Sequence, residues 1–185
     1  MAKRLLDVAL AALALVATAP LVALAAVGIR LSSAGPVLYR AERVGRGQRP
    51  FIMFKLRTMH LRRRSDSSRI TGADDPRVFP FGAWLRAVKV DELPQLWNVL
   101  RGEMSLVGPR PEMPFIVAGY DEWQRRRLAV KPGITGLWQI LGRKDLPMHQ
   151  NLQYDFYYIR NRSLALDASI LLRTAGAVLS RRGAF

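Results

Sequence analysis

A mainly helical chain with one small β-hairpin, opening on a membrane-seeking segment, is what three stretches predict. The first is Val8–Ile29, VALAALALVATAPLVALAAVGI, which carries no charged residue and has about the ~20 residues that a membrane helix needs. The second is the pair VLYRAERVG and FIMFKL, two strand-like runs on either side of the turn signal RGQRP, which reads as a hairpin. The third is the 3/4 spacing of Leu93, Leu96, Trp97 and Leu100, the mark of an amphipathic helix.

The totals bound the rest. A chain of 185 residues, half of them hydrophobic, holds one domain with a real core. Its 29 Lys and Arg outnumber 14 Asp and Glu, for a net charge of +15. Such a chain seeks anions: nucleic acid, phosphorylated small molecules or an anionic membrane face. It has no cysteine, which excludes disulfides, thiolate nucleophiles and Cys-based zinc sites. His60 and His149 stand far apart, which argues against a histidine metal site or triad.

The apolar segment admits three readings. Its uncharged run is longer than the ~7–15 residues of a signal-peptide core. A spanning anchor fits its length, but Lys3 and Arg4 before it and Arg30 after it give no orientation by the positive-inside rule. A segment that enters the bilayer and returns to the same face suits basic residues at both ends. Ala19-Pro20 is the candidate break, because proline lacks an N–H and clashes with the preceding turn. Thr18 is placed to satisfy one freed carbonyl.

Further along, HLRRRSDSSRITGADDPR is polar, without periodicity, and reads as a surface loop; its Asp74–Arg77 end could hold a metal, but a turn is the plainer reading. Asp91 and Glu92 lie at or just before the start of the amphipathic helix, with Pro94 in its first turn and Gly102 at its end. MSLVGPRPEMP reads as a proline-punctuated loop, FIVAGYDEWQRRRLAV as one basic helix, KPGITG as a turn and LWQILGRKDLP as a short strand or turn. Ala168, Leu171, Leu172, Ala175, Val178 and Leu179 mark one face of a C-terminal helix, flanked by Arg173, Arg181 and Arg182. Its place is in the core or at a membrane interface.

The adjacent acids carry the sharpest chemical question. A carboxylate at a helix start is ordinarily a cap. The same place favours a phosphate, and two acids beside a phosphate call for a hard divalent cation such as Mg²⁺. Neighbouring Lys and Arg would keep the acids ionised, and an ionised Asp can attack phosphorus. The candidate anion-facing residues are Lys55, Arg57, Arg86, Arg110 between its two prolines, and Arg143. Taken singly, each has a plainer reading as a solvated surface charge.

In combination, FKLRTM, DDPRVFPFGAWLR, DELPQLWNVLRGEMSLVGPRPE, VKPGITGLWQILGR and YDFYYIRNRSLALD closely resemble the bacterial sugar transferase family, and in particular its small monotopic phosphoglycosyl transferases. The resemblance covers nearly the whole chain. It implies an α+β fold, mainly helical, with a re-entrant N-terminal helix, a small β-hairpin and amphipathic helices on the membrane surface. Residues 1–33 would be the membrane helix and its flanks, and 34–185 the catalytic domain on the cytoplasmic face of the bacterial inner membrane. The implied reaction moves a sugar 1-phosphate from a UDP-sugar to undecaprenyl phosphate, releasing UMP. Asp91 would be the nucleophile. Glu92 would assist it, both acids would hold Mg²⁺, and Lys55, Arg86, Arg110 and Arg143 would face phosphates. The family commonly has Ser-Pro where this chain has Ala19-Pro20, which removes a hydroxyl at the break. Implied partners are the two substrates and membrane lipids. No nucleic acid is expected, and a homo-oligomer is left open. The rival reading is a membrane-tethered basic module that binds nucleic acid or anionic lipid.

Overall fold

The computed structural model describes residues 1–61, 75–141 and 152–179. The expectations for the 62–74 part of the polar stretch, for Arg143, and for Arg181 and Arg182 lie outside these residues.

Helix α1 (Ala2–Ser32) runs through Ala19 and Pro20 without interruption. A proline removes one ladder donor, and the other bonds of a 31-residue helix carry it past the gap. Thr18 does not serve the freed carbonyl; its hydroxyl donates to Ala14 O at 2.7 Å. Small residues on one side of α1 let the body approach closely. Ala11 packs with Ala41, Phe51, Met53, Leu96, Val99 and Met104. Ala25 and Ile29 pack with Leu56, Phe79, Leu85 and Val90. Leu5, Leu13, Val16, Leu24 and Leu31 remain exposed along the helix.

Polar ties fasten both ends of α1. Near its start, Arg4 donates to the Val99 and Leu100 carbonyls at 2.6 and 2.9 Å. Asp7 accepts from the Ser105 hydroxyl at 2.8 Å and the Leu106 N–H at 3.1 Å. At the far end, Arg57 donates to Ser33 O, Ser33 Oγ and Pro36 O at 2.6–2.7 Å. Arg57 is thus a buried structural tie rather than an anion-facing residue. It neutralises carbonyls that a helix end leaves without partners.

The hairpin forms as expected. β1 (Leu38–Val44) pairs antiparallel with β2 (Pro50–Leu56), Leu38 opposite Leu56 and Val44 opposite Pro50. α2 (Pro80–Ala87) follows, and then α3 (Gln95–Arg101), which Gly102 ends with φ 82°. Trp97, expected on the packed face of α3, is half-exposed; Gln95, Leu96, Asn98 and Val99 are the buried positions.

Several short elements depart from expectation. The proline-rich loop contains β3 (Ser105–Val107), which pairs in parallel with β4 (Gly133–Thr135) from the expected KPGITG turn. A Cβ on Gly108 or Gly133 would collide with the other's backbone, so these glycines permit a close strand crossing. The single basic helix is three pieces: α4 (Pro114–Ala118), α5 (Glu122–Arg125) and a 3-10 turn, Arg126–Ala129. Gly119 ends the first, and a capping box between Asp121 and Gln124 starts the second. The LWQIL stretch is a helix, α6 (Leu137–Leu141), rather than a strand or turn.

α7 (Leu152–Asn161) and α8 (Leu164–Leu179) close the described chain. α8 turns Asp167 and Ile170 inward; of the expected apolar face Leu171 packs against the Ile170 cluster, while Ala168, Leu172 and Ala175 lie outside. Polar contacts set this rotation. Asp167 accepts from Lys3 at 2.6 Å and from the Tyr158 hydroxyl at 2.8 Å, and Thr174 bonds Thr135 at 2.7 Å.

Candidate active site

Asp91 and Glu92 sit in a 3-10 turn, Val90–Glu92, that runs through Leu93 and Pro94 into α3. Lys89 precedes them with φ 58°, in the left-handed region. A non-glycine residue there costs about 1–2 kcal/mol, and this sharp turn swings the chain from α2 into the acids. No side-chain cap bond forms at the start of α3. Asp91 is 6% exposed, and its Oδ1 has no hydrogen-bond partner among the described residues. The ordinary reading of Asp91 as a helix cap is thereby removed.

Glu92 is clamped between two cations. Lys55 Nζ lies 2.7 Å from Glu92 Oε1, and an Arg110 Nη donates to the same oxygen at 3.0 Å. Three sequence-distant candidates therefore meet at one atom: Lys55 from β2, Glu92 from the 3-10 turn, and Arg110 from the loop after β3. Arg86 Nε donates to the Thr58 hydroxyl at 2.8 Å and is among the cations that act on Asp91. Gly82 makes that possible. A Cβ there would collide with the Thr58 carbonyl, so the glycine lets α2 lie directly on this backbone.

The two acids are tuned in opposite directions. Burial pushes the Asp91 carboxyl above its ordinary range, ahead of the opposing pull of Lys55. Burial also acts upward on Glu92, but Arg110 and Lys55 together hold it far below the usual carboxylate range. Glu92 reciprocally raises Arg110. The expectation that the cations keep both acids ionised thus describes Glu92, whereas desolvation leads at Asp91.

Two supports were invisible in the sequence. Asn98, fully buried, accepts from Phe54 N at 3.1 Å and donates to Ile52 O and Glu103 Oε2 at 2.7 Å each. It completes the free edge of β2 as a third strand would, next to Lys55. An asparagine inside a helix ordinarily reads as solvated, so nothing singled it out. Arg127 is also buried. It pairs with Asp155 at 2.6 Å, donates to the Tyr120 hydroxyl at 2.8 Å, and donates to the Arg110 carbonyl at 2.9 Å. It stands in a run of three arginines, and no pattern tells which of them turns inward.

For a divalent cation the donor set is sparse. Among the described residues no group of three or more His, Asp or Glu side chains gathers. Mg²⁺ keeps several waters and takes one or two carboxylates together with substrate phosphates. The unpartnered, buried Asp91 oxygen fits that use, with Glu92 beside it.

Known proteins resemble this chain over nearly its whole length. The family described as bacterial sugar transferase matches residues 1–181. The UDP-glucose:undecaprenyl-phosphate glucose-1-phosphate transferase of Caulobacter vibrioides is 42% identical over 99% of this chain and 72% of its own length. The undecaprenyl-phosphate glucose phosphotransferase of Komagataeibacter xylinus is 43% identical over 99% of this chain, which spans only 37% of that protein. The exopolysaccharide production protein ExoY of Sinorhizobium fredii is 38% identical over 99% of this chain and 88% of its own length. With the matched residues taking in both acids, the cations around them and the helices that hold them, the chain belongs to the bacterial sugar transferase family.

Proposed function

We propose that this protein transfers a sugar 1-phosphate from a UDP-sugar to undecaprenyl phosphate, in the manner its relatives' names describe. The observation that carries this reading is a buried, unpartnered Asp91 oxygen beside the Lys55–Glu92–Arg110 clamp. A carboxylate with one oxygen unpartnered among the described residues, near Lys55, Lys89 and Arg86, is suited to meet a diphosphate. Two relatives at 42% and 43% identity are named for glucose, so UDP-glucose is the first donor to try.

Asp91 attacks the sugar-bearing phosphorus. Its Oδ–P bond forms as the P–O bond to UMP breaks, and UMP leaves with the electron pair. A phosphate oxygen of undecaprenyl phosphate then attacks the same phosphorus, and Asp91 departs with its own pair, giving a ping-pong course. Lys55, Arg86 and Arg110 stabilise charge on the phosphoryl oxygens. Glu92 holds two of these cations in place before substrate arrives. Asp91 and Glu92 are the residues that would hold Mg²⁺, which when bound would screen the diphosphate charge.

α1 supports a membrane placement. It is long and apolar enough to cross a bilayer, yet both of its ends are tied to one body. A re-entrant placement on the cytoplasmic face, with the exposed leucines in one leaflet, brings both substrates to the same side. Binding of nucleic acid has no comparable support, since it gives the paired acids nothing to do.

The test is UMP release by purified protein with Mg²⁺, undecaprenyl phosphate and a panel of UDP-sugars. One donor should give UMP and a phosphosugar adduct on the protein. Asp91→Asn should lower turnover by at least about 10³-fold, and chelation should stop it. Full turnover in Asp91→Asn would end this mechanism.

A further inference from the structure

Asp91, Gln95 and Asn98 follow one another along one side of the chain as it enters α3. The backbone stays helical through Leu93 and Pro94, so Asp91 and Gln95, four apart, are neighbours at roughly 5–6 Å between Cβ atoms. All three are buried polar side chains, and Gln95 is 2% exposed. Asn98 spends its amide on Phe54, Ile52 and Glu103. The other two are unspent. Neither Asp91 Oδ1 nor Gln95 Nε2 has a hydrogen-bond partner among the described residues. A buried donor without a partner is unfavourable, so this amide does not serve the fold through its Nε2.

The two groups are complementary, yet they do not satisfy each other. A bare cation answers the carboxylate and leaves the N–H unmet. A phosphoryl group answers both, because its oxygens accept a hydrogen bond while its phosphorus faces the carboxylate. We propose that Gln95 is a phosphoryl-binding residue whose Nε2–H donates to a non-bridging oxygen of the group that Asp91 attacks. The donor is neutral, so it contributes direction where Lys55 and Arg110 contribute charge. During transfer the phosphoryl charge spreads over its non-bridging oxygens, where a fixed donor acts most strongly in the transition state. The effect on turnover rests on the transferase reading; the effect on phosphoryl binding does not.

The experiment uses the full chain in detergent, with inorganic pyrophosphate and Mg²⁺ as the binding probe and UMP release as the turnover probe. Gln95→Met keeps the volume and removes the donor. Gln95→Glu keeps the shape and presents an acceptor. Both should bind pyrophosphate roughly five- to ten-fold more weakly, the Glu variant the worse. With the donor UDP-sugar, kcat should fall about ten- to a hundred-fold. A folded Gln95→Met within two-fold of wild type in affinity and kcat overturns the proposal. Should that variant fail to fold, Gln95→Glu decides by the same criterion. Should wild type release no UMP from any donor, the transferase reading fails by itself. The pyrophosphate comparison then decides for Gln95, and equal affinities overturn it.

Discussion

Asp91 and Glu92 are sequence neighbours with opposite electrostatic fates, and each fate has a measurable consequence. Asp91 is buried with an oxygen, Oδ1, that has no partner among the described residues, and its carboxyl is pushed up chiefly by desolvation. A group raised in the folded state costs stability above its unfolded pKa. Asp91→Asn should therefore be inactive and more stable at pH 7, because the neutral amide leaves no buried charge to desolvate. Thermal melts should show the gain at pH 7 and its disappearance near pH 3. Glu92 is the converse. Burial opposes its charge, but Arg110 and Lys55 prevail and lower its pKa. Its contribution is present above the unfolded value of ~4.3 and fades as pH falls through the lower folded value. Glu92→Gln should cost roughly 1–2 kcal/mol between pH 5 and 7, because it leaves two partly buried cations without their shared partner. The gap from wild type should narrow only below about pH 4. A gap that closed between pH 7 and 5 would show that the clamp is not what stabilises Glu92.

Asn98 joins two elements that carry opposite halves of the site: α3, led in by the acids, and β2, bearing Lys55. Its amide occupies the β2 edge at Phe54 N and Ile52 O. Asn98→Ala should cost about 2 kcal/mol, as two or more buried groups lose partners. Hydrogen exchange at the Phe54 amide should speed up, while exchange in β1, paired on the other side, changes little. An unchanged Phe54 rate would mean that some other group holds this edge. The elements differ in how far they could be read in advance. The hairpin and α3 were legible because turn residues and apolar spacing act locally over seven or more residues. β3 and β4 are three residues each, too short for alternation to register, and their pairing depends on glycines that permit contact across more than twenty intervening residues. The split of the expected basic helix turned on Gly119 and the Asp121 capping box, both visible in the chain but overridden by the apparent continuity of charge. In the site, Lys55, Glu92 and Arg110 were legible through a family pattern. Gln95, Asn98 and Arg127 were not, because a polar residue turned inward looks in sequence like one turned outward.

Across the whole molecule, α1 is the element that would set how the proposed site meets a lipid substrate. A continuous 31-residue helix follows a path of about 46 Å at 1.5 Å per residue, longer than a hydrocarbon core of about 30 Å. Length alone would allow it to span. Its attachments argue otherwise. Arg4 and Asp7 hold one end to α3 and β3, and Ser33 is held at the other by Arg57, the residue that follows the strand carrying Lys55. A spanning α1 would pull these ties to opposite faces of the bilayer, or carry charged parts of the body through it. The exposed Leu5, Leu13, Val16, Leu24 and Leu31 instead allow the helix to enter one leaflet while its inner face keeps Ala11 and Ala25 on the body. The chain has no cysteine, so Ala2→Cys and Ser32→Cys give single labels near the two ends. In sealed vesicles of known orientation, a membrane-impermeant maleimide should reach both positions from the cytoplasmic side and neither from the other. Labelling of the two from opposite sides would make α1 a spanning helix. It would also require the ties at Arg4, Asp7 and Ser33 to open in the membrane.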